Sequence, residues 1–488
     1  MDDGDTRGST GIKLAEIERL IEEFKEKFEA GTSDAENFIT MFEIEQLWSE
    51  LQNNTNNIYS DMVRELMSTV DERDLIRKKK REYRLRKITL RTHIKTSISI
   101  ITSLGQISFS RYLLIPQDIG SKEKLMRLAR AKSVAPLDCY LGLAGLPFKI
   151  TPAAMLRIAY WAQNQCSYQR AEDAISEISR IKVNDDTVRL VANFVGDVVF
   201  GNDCQKADEV FAALDSGKLH FPKDRDGVLY IQTDGAALNT RLKDETGSTW
   251  RENKLGEVFS SKDIHYWTDK KGQRQHRILK KEYVSYIGAA SEFKKHLFAC
   301  ALRGGYGRFK ETVLLSDGAV WIRNMAEELF PDAQHILDFF HLCENVNTYA
   351  KHIFNMDGPK YKAWAKDICD RLKTSGYRDV LTELEPFRNK KPHNCPVNLY
   401  GYISNNINNI DYASYEKKGY FIGSGAVESG NKIVLQDRLK RAGMRWNTAT
   451  AQAMLTLKSK VESNLWSLDV EKPFLSHCRS LSDPLFHI

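Results

Sequence analysis

Cysteine is sparse in this 488-residue chain and never closely paired. The eight, Cys139, Cys166, Cys204, Cys300, Cys343, Cys369, Cys395 and Cys478, are scattered, with no C-x-x-C step among them. That excludes a zinc ribbon, whose ligands need such spacing, and leaves reduced, mostly buried thiols as the expectation. Proline (12) and glycine (29) are too few for a collagen-like or low-complexity chain. Long apolar runs are missing as well, and none approaches the roughly 18 residues of a membrane helix. The opening MDDGDTRGST is acidic with no apolar core, so no signal peptide is expected. Hydrophobic residues make up 42% and charged residues 28%, ordinary values for a globular protein. The expectation is a soluble, intracellular chain of about three domains.

Charge is unevenly spread. Residues 1–70 hold 6 Lys/Arg against 16 Asp/Glu, and residues 71–135 hold 17 against 6. The densest basic block is Arg77, Lys78, Lys79, Lys80 and Arg81, continued by Arg84. Such a block displaces counterions from phosphates, which points to nucleic acid; the alternative is a solvated helix face paired with the acidic segment.

Periodicity divides the chain into six parts: an acidic helical arm (1–70), a basic segment with a β-hairpin (71–135), a helical region (136–222), a mixed α/β part (223–341), a helical, charged and then irregular stretch (342–422), and a last helical part with the C-terminal tail (423–488). Ile/Thr-rich stretches between 88 and 116 supply the hairpin. Ser167 and Asn184 are placed to cap two successive helices with a short break between them, the outline of a helix-turn-helix. Its exposed candidates are Thr187, Arg189 and Asn193, although Asp185 and Asp186 beside them repel phosphate. From residue 226 the order βββ-α-β-α-β-α suggests an RNase-H-like mixed sheet within an α+β or α/β fold.

Two of those strands are expected to end in an Asp-Gly step, at Asp234 and Asp317. Glu428 adds a third carboxylate in the first turn of a later helix. Acids alone suit hard divalent cations, Mg²⁺ or Mn²⁺, and two such ions about 4 Å apart can hold both oxygens of a phosphoryl displacement. The alternative is two turn residues and a dipole-favouring helix acid. Lys432, Arg438, Lys440, Arg441 and Arg445, with Trp446, follow Glu428 and suit phosphates and an unstacked base.

These motifs together resemble the DDE-type bacterial insertion-sequence transposases of the ISLre family, related to the Mutator-like group. The carrying residues are Thr233-Asp234-Gly235, Leu315-Ser316-Asp317-Gly318, Asp338-Phe339-Phe340-His341, Gly423-Ser424-Gly425-Ala426-Val427-Glu428-Ser429 and the run Arg438–Trp446. The resemblance covers roughly residues 85–465. It implies a catalytic and metal-binding triad of Asp234, Asp317 and Glu428 with two Mg²⁺ (or Mn²⁺) ions. It also implies Asp338 and His341 near the site, an insertion between Asp317 and Glu428, and an N-terminal DNA-binding region. The implied activity is cleavage of element ends and joining of 3′-hydroxyls to target DNA. The partners would be duplex DNA and a second or further copy of the chain. The implied setting is a prokaryotic cytoplasm, at the nucleoid. A nuclease of the same fold that does not join strands, and a domesticated DNA-binding remnant, are the alternatives.

Overall fold

The computed structural model describes residues 70–117, 133–217, 222–354, 358–388 and 394–481, with Leu219 and short runs or single residues before 70. Most of the expected acidic arm therefore lies outside the described residues. The chain forms two compact units, residues 1–191 with 474–488, and residues 192–473.

In the first unit, helix α1 (Glu72–Leu85) is capped by Asp71, whose carboxylate accepts from the Arg73 and Asp74 N–H groups. Strands β1 (Leu90–Thr102) and β2 (Gly105–Pro116) form the expected antiparallel hairpin, paired from Thr102↔Gly105 to Leu90↔Pro116. Its alternation buries Ile98, Ile100, Ile107 and Phe109, against Leu137 of the short helix α2 (Pro136–Tyr140). Helices α3 (Pro152–Asn164) and α4 (Tyr168–Ile178) follow, and Ser167 caps α4 by accepting from the Arg170 N–H. Asn184 caps α5 (Asp185–Asp215) through the Thr187 N–H at 2.9 Å. The second helix of the expected helix-turn-helix is thus 31 residues long, and the unit boundary falls inside it.

The second unit is built on strands β3 (Arg225–Asn239), β4 (Trp250–Ser260), β7 (Glu282–Ile287), β8 (Phe309–Ser316) and β9 (Gln334–Leu337). They make one mixed sheet in the order β7-β4-β3-β8-β9. The first two pairings are antiparallel and the last two parallel. This is a mixed α/β architecture, compatible with the expected α+β class. Between β4 and β7 the chain forms a separate ribbon, β5 (Ile264–Thr268) with β6 (Arg274–Ile278), where a single strand over 277–287 is expected from the sequence. The break falls at Leu279-Lys280-Lys281, where no apolar alternation holds the chain in the sheet.

Period-two alternation sorts the sheet's side chains between two cores. Leu229, Ile231, Val258 and Leu314 face helices α6 (Ala290–Gly304) and α7 (Val320–Leu329). Tyr230, Phe259, Val313 and Leu315 face the opposite core. That core holds α8 (Phe339–Ile353), α9 (Gly358–Lys373), α10 (Tyr377–Leu384), α11 (Leu399–Asn405) and α12 (Tyr412–Lys417). The Tyr- and Asn-rich stretch 392–423 reads as irregular, yet it supplies α11 and α12, because Tyr412, Tyr415, Leu399 and Ile403 turn inward. Helix α13 (Gly425–Gly430) continues through a π-helical turn, Asn431–Gln436, to Leu439, and α14 (Thr448–Glu462) packs on β7. No helix among the described residues is long and apolar enough to cross a membrane.

Where α13 crosses the sheet the approach is close. A Cβ on Gly430 would lie 2.8 Å from the Tyr283 ring and 3.1 Å from the Glu257 carboxylate. Glu257 is fully buried, with the Lys281 ammonium 3.1 Å away. Burial pushes its pKa up to about 7, and Lys281 only partly offsets this. In the unfolded chain its pKa is the ordinary glutamate value of 4.5, so between about 4.5 and 7 the folded state binds the extra proton. Stability therefore falls as pH rises through that window and is level above it, a change of about 3 kcal/mol at most. Urea unfolding from pH 5 to 8 is expected to show this decline in the wild type and a flatter profile in Glu257→Gln. Parallel profiles would assign the pH dependence to other groups.

Candidate functional site

Asp234 lies within β3, not at its end as the sequence suggests. β3 continues to Asn239 because β4 goes on pairing with it, whereas the parallel neighbour β8 stops at Ser316. The β3–β8 register runs Tyr230↔Val313 and Gln232↔Leu315. Two residues further on, the same register sets Asp234 level with Asp317, on the face that carries Tyr230, Val313 and Leu315. The missing pairing beyond Ser316 leaves room for the two carboxylates.

Both are held. Asp234 Oδ1 accepts from the Gly235 N–H at 2.8 Å, and its Oδ2 accepts from Asn431 Nδ2 at 2.7 Å. Burial raises the Asp234 pKa and the Asp317 charge adds to that, while the Gly235 N–H, His341 and Asn431 pull it down. Asp317 Oδ1 accepts from the Ala319 N–H at 2.9 Å, and its other carboxylate oxygen makes no hydrogen bond among the described residues. Its backbone carbonyl accepts from the Tyr402 hydroxyl at 2.6 Å. The next residue, Gly318, has φ +82°, and a Cβ there would sit 2.6 Å from Leu337. Only glycine turns the chain here without strain.

Glu428 is brought over the ends of these strands by two anchors on α13. Gln232 Oε1, buried on β3, accepts from the Val427 N–H at 3.1 Å. Ser424 donates both its N–H, at 2.9 Å, and its hydroxyl to Asp338 Oδ2. The other oxygen of Asp338 caps α8, accepting from the Phe340 and His341 N–H groups at 2.6 and 3.3 Å. The cap aims His341 at α13, with Nε2 4.0 Å from Glu428 Oε1, and the Glu428 side chain is half exposed.

Among the described residues, Asp338, His341 and Glu428 form the set of three whose ligand atoms lie within 4.8 Å of one another, and such a set can hold a metal ion. Asp234, Asp317 and Glu428 do not close to that distance. Asp338 is the weakest ligand of the set, because four hydrogen bonds already use both its oxygens. Asn431 Oδ1 is buried without a hydrogen-bond partner beside Asp234, an oxygen donor to spare. The sequence reading gave no role to Gln232, Tyr402, Ser424 or Asn431. Only Ser424, inside a Gly-Ser-Gly run before a helix, carried a local signal.

The basic candidates divide. Lys432, Lys440, Arg441 and Arg445 are exposed. Arg438 and Trp446, expected to grip a phosphate and a base, are instead buried at 2% and 7% exposure. The Arg438 guanidinium stacks 5.2 Å from the Trp446 ring, and the indole N–H donates to the Leu439 carbonyl at 3.0 Å. The aromatic that does reach the surface beside Lys440, Arg441 and Arg445 is Trp250, 53% exposed, at a cavity of about 240 Å³. On α1, Arg77 and Lys78 reach Asp74, Lys79 reaches Glu82 and lies over Tyr83, and Lys80 is half-buried. Arg81 and Arg84 stand in solvent. Thr187 and Arg189 are half-buried and tied to Asn184 and Asp186. Asn193, expected to be exposed, bonds Thr450 at 3.3 Å on a packed face, because this length of α5 lies within the second unit's core. No family model matches the chain, and no curated protein does.

Proposed function

We propose that the chain is a metal-dependent DNA transposase with an RNase-H-like catalytic core. One observation carries the reading: Asp234 and Asp317 share one face of adjacent parallel strands beneath the helix that bears Glu428. The sheet supports it, with three antiparallel strands followed by two parallel ones, each reached through a helix. So does the run of helices α8 to α12 between Asp317 and Glu428, the position in which the resemblance implies an insertion.

The donor set is compatible with Mg²⁺ or Mn²⁺. Its members are carboxylates, and a cation between Asp234 and Asp317 would relieve the conflict of two like charges in a half-buried site. Two such ions, when bound, polarise a phosphodiester and the attacking water or 3′-hydroxyl. The protein's own part is positional. Asn431 and the Gly235 N–H orient Asp234. Tyr402 fixes the Asp317 turn. Gln232 and Asp338 pin the helix that carries Glu428, and His341 lies beside Glu428 to steady it. Lys432, one turn beyond Glu428 and exposed, is placed for a DNA phosphate. Duplex DNA and a second copy of the chain are the partners this reading requires, since two element ends are handled together.

Crystals soaked in Mn²⁺, with and without DNA, test the reading. Anomalous peaks bridged by Asp234, Asp317 and Glu428 are expected. Peaks elsewhere, or none with DNA bound, would overturn it. Incubation with DNA bearing the element's ends then separates the activities, because a transposase yields joined products and a simple nuclease does not.

A further inference from the structure

The ribbon β5–β6 takes no part in the geometry above. Its register sets His265 opposite Arg277 and Trp267 opposite Gln275, so these four share one face. The other face is partly engaged by the protein, with Tyr266 still 42% exposed. Ile264 and Ile278 pack on the larger core, the His276 ring stacks on Phe421 at 4.9 Å, and the Arg274 guanidinium lies 4.2 Å from the Tyr266 ring. The first face is open. Trp267 is 43% exposed, its ring stacked on His265 at 6.0 Å. Arg277 makes no ion pair among the described residues. From Ile264 to Lys281 the chain carries six Lys/Arg and a single acid, Asp269.

The base of the ribbon opens into a cavity of about 460 Å³. Arg277, Lys281 and Tyr283 line one side and Gly425, Ser429 and Ile433 the other, and Glu462 contributes one acid. Gly425, Ser429 and Ile433 follow at one-turn intervals along the helix that bears Glu428. Ser429 directly follows Glu428, so the cavity borders the helix that carries this acid.

We propose that the ribbon and this cavity hold an unpaired nucleic-acid strand, with a base stacked on Trp267 and its phosphate met by Arg277. That this strand adjoins the cleaved phosphodiester rests on the proposed function; the stacking itself does not. Charge and shape select the occupant. An exposed aromatic face beside the unpaired cation Arg277 suits a base whose π-face is free, and a stacked duplex offers no such face. The volume lies within the range of about 300–1,000 Å³ of ligand pockets.

The test uses the full chain in EDTA, so that no cleavage intervenes, and a fluorescein-labelled 20-base oligothymidylate bearing one central 5-iodouracil. Irradiation is expected to crosslink the oligonucleotide to the peptide containing Trp267. Trp267→Ala and Arg277→Ala should each weaken binding by about tenfold at 0.1 M salt, while Trp267→Phe stays within about threefold of the wild type. Both side chains are exposed, and circular dichroism checks that each variant is folded. Crosslinks confined to other peptides, with binding unchanged in both alanine variants, would overturn the proposal. Metal-dependent DNA cleavage by a wild type that gives that negative result would leave the transposase reading standing. A Trp267 crosslink in a protein that never cleaves DNA would do the reverse.

Discussion

On the proposed function, Asp317→Asn is expected to lower metal-dependent DNA cleavage by about 10³-fold or more, equivalent to at least about 4 kcal/mol of barrier, while the protein stays folded. The amide can keep the one hydrogen bond this side chain makes, since an Asn oxygen accepts from the Ala319 N–H as readily as a carboxylate does. What it loses is the charge on an oxygen without any other partner. Asp234→Asn should behave alike. The Gly235 N–H still finds an acceptor, and the Asn431 amide can turn so that its unpartnered oxygen receives the new N–H₂. Each change also removes one of two like charges, and the Asp317 charge adds to the cost of ionising half-buried Asp234. Melting temperature in EDTA should therefore stay level or rise in both variants as activity disappears. A site that loses activity and gains stability was arranged for a cation, whereas a structural acid would lose stability first. Cleavage within about tenfold of the wild type in either variant would remove these residues from the chemistry.

The two aspartates were legible because the signal is local: an apolar strand, period two, and a Gly-flanked acid at a fixed offset. The hairpin at β1–β2 and the caps at Ser167 and Asn184 were legible for the same reason. Their partners lie within a few residues, or one turn away along the chain. What misled were properties decided by distant partners. The strand through Asp234 runs on because β4 pairs with it as far as Trp250. Arg438 and Trp446 read as a basic, aromatic grip, but each is the other's packing partner, and Trp446 is also sealed to Asn239 by its backbone N–H. Trp250, which is exposed beside the same cations, stands nearly two hundred residues earlier, and no window of sequence joins them. The ribbon β5–β6 was not legible as a unit: only its end, Arg277 and Ile278, reads as strand, and as the start of one running on to Ile287.

Asp338 sets a second large effect, in stability rather than chemistry. The resemblance places it near the active site, and it belongs to the cluster able to hold a metal, yet its surroundings are those of a latch. It is fully buried, and its two oxygens accept from the Phe340 and His341 N–H groups on one side and the Ser424 N–H and hydroxyl on the other. Asp338→Ala removes a helix cap and strands four donors, three of them backbone N–H groups. The expected loss is about 3–5 kcal/mol, measured by urea unfolding in EDTA. Asp338→Asn, which keeps the cap acceptor but turns an N–H₂ toward the Ser424 donors, should fall between this variant and the wild type. Ser424→Ala, which removes one donor and leaves an acceptor with another, should cost about 1 kcal/mol. The contrast with a metal ligand is sharp, because removing a ligand carboxylate from an ion-free site relieves repulsion and costs little. An Asp338→Ala protein as stable in EDTA as the wild type, but unable to bind Mn²⁺, would assign Asp338 to the metal. The order Ala, then Asn, then Ser424→Ala in declining cost would assign it to the joint that holds Glu428 above the two aspartates.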